Sequence, residues 1–178
     1  MSLTTCEIAR GRGPHRGSRQ RAMRTMLAAL LALLVGEAYA ASCSVSTPGV
    51  AFGTYDVFAA SPTSSTGSIK VTCTLGAELF VRVNYTVSLA TGSSNTFVQR
   101  TMKSGANALG YNLYTSNAYS TVWGDGTGST NTLGGSMTLS IFNTSDSVTM
   151  TVYGRVPALQ DVAVANNYQD NVTVTVTY

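Results

Sequence analysis

Apolar and polar residues alternate along several stretches of this chain. In the longest stretch, residues 79–89, every second residue is apolar over eleven positions, and the pattern recurs at 69–73, 148–156 and 172–178. A period of two is typical of a β-strand with one buried face. The apolar positions of the longest and the last stretch are Leu79, Val81, Val83, Tyr85, Val87 and Leu89, and Val172, Val174, Val176 and Tyr178.

Shorter candidate strands lie between these stretches, and clusters of turn-forming residues separate them. The candidates are residues 50–55, 97–102, 109–114 and 137–142. The turn clusters, rich in Gly, Ser, Thr and Asn, are residues 61–67, 91–95 and 124–128. No stretch has apolar residues spaced by three and four, so we expect little or no helix. Many short strands joined by such turns favour an all-β sandwich or barrel.

The first forty residues have the pattern of a secretory signal peptide. A stretch with six arginines precedes an apolar run at 27–35, and the small residues Ala38 and Ala40 then stand three and one positions before a cleavage point. The alternative is a membrane anchor, but the apolar run is shorter than the ~20 residues that span a bilayer. We therefore predict a leader over residues 1–40 and one β-sandwich domain over residues 41–178.

Removal of this leader changes the charge of the protein. The chain carries 11 basic and 8 acidic residues, and six of the basic and two of the acidic residues lie in the leader. The mature domain therefore has five basic and six acidic residues and a net charge of −1. No basic patch remains that would indicate nucleic-acid binding.

Candidate catalytic groups are also few. The only histidine, His15, lies in the leader, which excludes a Ser-His-Asp triad and imidazole metal ligands from the mature domain. Six carboxylates remain, but the sequence alone does not place any two of them across a cleft. We therefore predict a protein that is not an enzyme and holds no metal or cofactor.

Two cysteines, Cys43 and Cys73, remain in the mature domain. An even number of cysteines in an exported protein indicates a disulfide, whereas a metal or redox pair, the alternative, usually needs closer spacing or added histidines. A bridge closing a loop of this length contributes roughly 3–4 kcal/mol.

Aromatic residues offer a second type of candidate site. Trp123 and tyrosines such as Tyr119 could form an exposed platform on which a sugar ring stacks. The alternative is that these side chains fill the core or line its edges, which is their commoner role in a β-sandwich.

The alternating stretch 172–178 is the last in the sequence, so no later strand is available to pair with it. Backbone N–H and C=O groups on its open side would need a neighbour, either a local one or a strand of another molecule.

The motifs, taken in order, resemble the spore coat protein U domain family. They are residues 43–46 (CSVS), 50–56 (VAFGTYD), 100–102 (RTM), 109–114 (LGYNLY), 122–128 (VWGDGTG), 153–158 (YGRVPA) and 168–178 (YQDNVTVTVTY). This family includes a sporulation coat protein of a soil bacterium and the pilins of archaic, Csu-type chaperone–usher pili.

The resemblance implies an immunoglobulin-like sandwich that lacks its final strand. It also implies three partners: a periplasmic chaperone that lends a strand, an outer-membrane usher, and neighbouring pilin subunits that replace the lent strand with their own N-terminal extensions. Stretches 79–89 and 172–178 would then supply the core and the acceptor groove. Such pairing joins a strand to an open sheet edge.

The sequence departs from a shaft pilin at its start. Only Ala41 and Ser42 precede Cys43 after the predicted cleavage, so no donor segment is left. We therefore expect a structural subunit that accepts a strand but donates none, located near the tip of a fibre. The alternatives are a secreted adhesin or carbohydrate-binding module and a solitary coat protein.

Overall fold

The computed structural model describes residues 40–165 and 167–178. The predicted leader, up to residue 39, lies outside the described residues. The described chain forms eight β-strands: β1 Ala41–Val50, β2 Thr63–Leu75, β3 Phe80–Leu89, β4 Arg100–Ser104, β5 Asn107–Tyr114, β6 Leu133–Ser140, β7 Ser145–Val156 and β8 Val174–Thr177. A single 3-10 turn, Gly92–Ser94, is the helical element of this part, and no helix described here could cross a membrane.

The strands form two antiparallel sheets. One sheet has five strands in the order β1-β2-β7-β5-β4, and the other has three in the order β6-β3-β8. The core lies between the two sheets and is built from the inward-facing residues of both. The predicted fold class, an all-β immunoglobulin-like sandwich with one disulfide, is confirmed.

Strands β2 and β3 follow the alternation that predicted them. In β2, Ile69, Val71 and Cys73 are buried at every second position, while Lys70 between them is exposed. In β3, Val83, Tyr85, Val87 and Leu89 are buried in the same way. Successive side chains of a strand point to opposite faces, so each alternating sequence buries one face against the other sheet.

The sequence prediction is wrong at the start of the domain. Of residues 50–55, predicted as a strand, only Val50 lies in one, as the last residue of β1, and residues 51–55 form no ladder. Most of the predicted turn cluster at 61–67 is not a turn either, because β2 begins at Thr63 and pairs with β7 from that residue onward. Thr and Ser suit the exposed face of a strand as well as a turn, so composition alone did not separate the two.

Gly67 shows why a turn-forming residue stands inside β2. It pairs with Val50 just beyond an irregularity in the β1–β2 register between Ser46 and Gly49. A Cβ atom at position 67 would collide with the Gly49 carbonyl oxygen. Glycine is therefore required here by the close approach of the two backbones.

Two other predicted strands are displaced. The strand predicted at 97–102 is β4, Arg100–Ser104, and the strand predicted at 137–142 is β6, Leu133–Ser140. The second shift leaves Ile141 and Phe142 beyond the end of the strand, where both are exposed. Because these two residues are apolar, the predicted strand was extended to include them. The backbone pairing, however, ends before them.

Candidate functional site

The two sheets each have an edge strand on the same side of the sandwich. β1 pairs with β2 only, and β8 pairs with β3 only, so each strand has one edge that no described strand occupies. The two strands lie next to each other across the sandwich. An unpaired edge presents a row of free N–H and C=O groups and is a template for pairing with another chain. We refer to the space along β1 and β8 as the open edge.

Side chains at the open edge alternate like those of the core but are less buried. In β1 the inward-facing residues include Ala41, Cys43 and Val45, and in β8 they are Val174 and Val176; all five are only half-buried and contact the core. Their counterparts in β2 and β3 are almost completely buried. The sandwich is thus closed between its central strands and partly open between β1 and β8.

The residues predicted to form the groove occupy three different places. Val83, Tyr85, Val87 and Leu89 are buried in β3, which lies between β6 and β8 and is paired with both of them at Thr86 and Val87. They therefore supply the core. Val81 is half-buried in the same strand and also packs against the core.

The ends of the two predicted strands lie outside the ladders. Leu79 is 73% exposed in the bend before β3, and Tyr178 is 57% exposed after the end of β8. The prediction is wrong in making them strand residues with buried side chains. Val172 precedes β8 but remains half-buried against the core, as do Val174 and Val176 within the strand.

The sequence prediction missed β1, one of the two strands that form the open edge. No strand was predicted over residues 41–49, because Ser44, Ser46 and Pro48 make the alternation of β1 less apolar than that of β3. The signal that could have revealed its role was the alternation of Cys43 and Val45 with serines. That pattern is typical of an edge strand with one face towards the core.

The disulfide joins β1 to the rest of its sheet. Cys43 and Cys73 stand directly opposite each other in the β1–β2 ladder, with Cα atoms 4.0 Å apart, and their sulfurs are bonded. The predicted bridge is thus confirmed. It connects an edge strand, whose Cys43 is half-buried, to a central strand, whose Cys73 is fully buried.

Trp123 corrects the prediction of an aromatic binding platform. Its side chain is 0% exposed, and its indole Nε1–H donates to the Val87 carbonyl oxygen at 3.0 Å. Tyr119 is half-buried, with its ring edge-on to Tyr114 and the Arg155 guanidinium 5.0 Å from its centroid. Trp123 is therefore a core residue, and Tyr119 is already packed against neighbours of its own chain.

A buried arginine in β4, the other edge strand of the larger sheet, ties several elements together. Arg100 is 0% exposed, and it donates to the carbonyl oxygens of Ala90 and Trp123 and to Oδ1 of Asn112 at 2.7–3.0 Å. Its acceptors in the described chain are all neutral, and burial lowers the pKa of its guanidinium. Nothing in the sequence marks this arginine as different from the exposed cations.

The segment that leads into β8 is fixed by Asp170. Its Oδ1 accepts from the Ser93 backbone N–H at 2.9 Å and from the Ser93 hydroxyl at 2.5 Å, and its Oδ2 accepts from the Tyr111 hydroxyl at 2.7 Å. Burial and this hydrogen bond raise the pKa of Tyr111. Lys103 and Gln169 add a reciprocal pair of backbone hydrogen bonds. The segment that precedes β8 is thus held by contacts with the other sheet and with the 3-10 turn.

Replacing Asp170 with asparagine should lower the free energy of unfolding by about 1.5–3 kcal/mol, because three hydrogen bonds to a charged acceptor weaken together. Urea denaturation measures this change. The matched control is Asp161→Asn in the same segment, since Asp161 is exposed and makes no side-chain hydrogen bond within the described residues. Equal midpoints for the two variants would contradict the role assigned to Asp170.

The described residues contain no cluster of three or more His, Cys, Asp or Glu side chains that could hold a metal ion. The geometry of the open edge combines two strands that are each paired on one side only, half-buried apolar side chains between them, and a disulfide and a carboxylate that hold them in place.

Comparison with known families identifies the class of this protein. The family model of the Spore Coat Protein U domain matches residues 29–175. The chain belongs to this family, and the resemblance drawn from its motifs is confirmed. No match was found among curated proteins.

Among solved structures, the chain is similar to a chain in the CsuC–CsuE chaperone–tip adhesion subunit pre-assembly complex from the archaic chaperone-usher Csu pili of Acinetobacter baumannii. The sequence identity is 23% and the TM-score is 0.42. The match covers 78% of this chain and 40% of the other, so this chain spans less than half the length of the one that it matches.

Proposed function

We propose that this protein is an exported structural subunit of a bacterial surface assembly, and that it accepts a strand from another molecule at the open edge. The donor is a periplasmic chaperone during transit and a neighbouring subunit afterwards, with an outer-membrane usher directing the exchange. The family membership and the geometry of the open edge support this proposal.

The observation that carries the proposal is the contrast in burial between central and edge strands. Ile69 and Val87 in the central strands are about fully buried, whereas Val45 and Val174 in the edge strands are half-buried although they alternate in the same way. An added strand beside β8 would pair with its free backbone groups and cover these side chains with its own alternating residues.

We also propose that this subunit donates no strand. The described structure has β1 beginning at Ala41, the residue that would follow the predicted cleavage, and Ala41 already pairs with Leu75. Cleavage after Ala40 would therefore leave no free segment to insert into a neighbour. A subunit that accepts but does not donate fits the tip of a fibre, or a coat layer in which subunits do not polymerise by strand exchange.

Strand acceptance is tested with a synthetic donor peptide. The processed, oxidised protein is melted in urea, alone and with a ten-residue peptide that has apolar residues at alternate positions, taken from a neighbouring subunit. At a peptide concentration about 100 times the dissociation constant, binding to the folded state adds ~2.7 kcal/mol. With slopes of about 1–3 kcal/mol per molar urea, the midpoint should rise by roughly 1–3 M.

Two controls make the result specific. A peptide of the same composition without the alternation should leave the midpoint unchanged. Val174→Glu, which places a charge on the inward face of β8, should abolish the peptide effect, while Thr175→Glu on the outward face should not. A protein whose midpoint does not respond to any donor peptide would overturn the proposal.

The alternative of a sugar-binding module has lost its main support. Trp123 is fully buried, and Tyr119 packs against Tyr114 and Arg155. The alternative of a solitary coat protein predicts a cooperative melt without peptide and no response to it. The peptide experiment therefore distinguishes the coat hypothesis from strand acceptance.

A further inference from the structure

The disulfide of this protein can be reached from one side only. Cys73, in the central strand β2, is 0% exposed, whereas Cys43, in the edge strand β1, is half-buried. Reduction of a disulfide begins when a thiolate attacks one of its two sulfurs, and the rate depends on access to that sulfur. In the folded protein a reductant therefore reaches the bridge at Cys43 and not at Cys73.

Cys43 lies along a stretch of the open edge that β8 does not line. Near Cys43, β1 begins opposite Leu75, and the loop 76–79 then leads into the start of β3. β8 pairs only with Thr86–Leu89, at the other end of β3. Beyond Cys43, on the side away from Cys73, no described strand follows in the sheet. The bridge therefore faces the unoccupied part of the open edge.

We propose that a strand accepted at the open edge covers Cys43 and shields the disulfide from dithiol reductants, so that only the unoccupied subunit can be reduced. This inference rests on the proposed function, strand acceptance. A donor strand of ten residues spans about 33 Å, and β1 also has 10 residues. A strand placed between β1 and β8 therefore reaches Cys43 and covers it together with Val45 and Val174, which face inward on the same two strands.

The reaction that the strand blocks is an ordinary thiol–disulfide exchange. One thiolate of the dithiol bonds to the Sγ atom of Cys43 and displaces the sulfur of Cys73, which takes up a proton. The second sulfur of the dithiol then attacks the first, closes a disulfide within the reductant and releases Cys43, which is protonated in turn. Two electrons and two protons thus pass from the dithiol to the bridge. Both steps need free space beside Cys43, and the accepted strand would fill it.

Strand acceptance would thereby fix the redox state of the subunit. Before a strand is accepted, a dithiol can open the bridge and release β1 from its covalent link to β2. Once the strand is in place, β1 stays linked to β2 for as long as the strand is bound. The unassembled subunit thus remains open to thiol–disulfide exchange, while the assembled subunit keeps its edge strand fixed.

The test is the rate of reduction of the processed, oxidised protein by dithiothreitol, a small dithiol, with and without the donor peptide. Free thiols are alkylated at successive times and counted by mass spectrometry. At a peptide concentration about 100 times the dissociation constant, roughly 1% of the protein is unoccupied, so the reduction should be about 100-fold slower. A peptide of the same composition without the alternation should leave the rate unchanged.

A urea series separates attack at the open edge from attack on the unfolded chain, because a bound peptide would slow both. Without peptide and well below the midpoint, reduction at the open edge of the folded protein should depend little on urea. Reduction through the unfolded chain would instead accelerate by at least about fivefold per molar urea, since the unfolded fraction grows by that factor. Such a steep dependence would refute the inference even if the peptide slowed the reaction.

Two variants link the protection to the open edge. In the presence of peptide, Val174→Glu should be reduced as fast as it is alone, while Thr175→Glu on the outward face should be protected like the wild type. A peptide that raises the urea midpoint but does not slow reduction would overturn the shielding and leave strand acceptance standing. A peptide that changes neither the midpoint nor the rate would overturn strand acceptance, and the shielding with it.

Discussion

Replacing Trp123 with alanine should lower the free energy of unfolding by about 3–5 kcal/mol, the cost of deleting a large buried aromatic side chain. The indole is 0% exposed, and its removal leaves a cavity between the sheets. It also leaves the Val87 carbonyl oxygen without its donor. The measurement is the urea midpoint by far-UV circular dichroism, because this is the only tryptophan of the chain and its fluorescence disappears with it.

Two further variants separate the contributions at this position. Trp123→Phe keeps most of the apolar volume but loses the hydrogen bond and should cost less than the alanine variant. Phe58→Ala removes an aromatic ring that is 87% exposed and should change stability by no more than about 0.5 kcal/mol. If Trp123→Ala destabilised the protein no more than Phe58→Ala, the central position of Trp123 in the core would be wrong.

Removing the disulfide should cost about 3–4 kcal/mol, because the bridge closes a loop with a sequence separation of 30. The double variant Cys43→Ala/Cys73→Ala avoids a single unpaired thiol. Its urea midpoint can be followed by the fluorescence of Trp123. A loss of less than about 1 kcal/mol would mean that the unfolded chain is not appreciably restricted by the bridge.

A reducing agent provides the control for this variant. It should lower the midpoint of the wild type towards that of the double variant and should not affect the double variant itself. If the reduced wild type remained as stable as the oxidised protein while the double variant did not, the effect would come from the alanine side chains and not from the cross-link.

The strands with strong alternation could be predicted from sequence because their burial is decided locally. β3 and β7 have apolar residues at every second position, and one face of each packs against the other sheet. β1 was harder to predict because serines and a proline dilute its pattern. The start of β2 was mistaken for a turn, since the pairing with β7 that makes it a strand is with residues far away in sequence.

The functional surfaces depend on which strands become edges, and that is a property of the assembled sheets. Val87 and Val176 have the same residue type and the same alternation, yet Val87 is fully buried and Val176 is half-buried. Only their places in the sheet order separate them. Arg100 shows the same limit, because its burial depends on carbonyl oxygens brought together by three separate parts of the chain.

If the proposed strand acceptance places this subunit in a fibre under tension, the position of the disulfide has a mechanical consequence. A strand that is held at the open edge and pulled along its axis exerts force on β1 and β8. An edge strand held only by hydrogen bonds can be peeled away one bond at a time. Cys43 binds β1 covalently to β2, which is the neighbour from which it would peel. Force on β1 therefore passes into a central strand of the larger sheet, and peeling of β1 stops at the bridge.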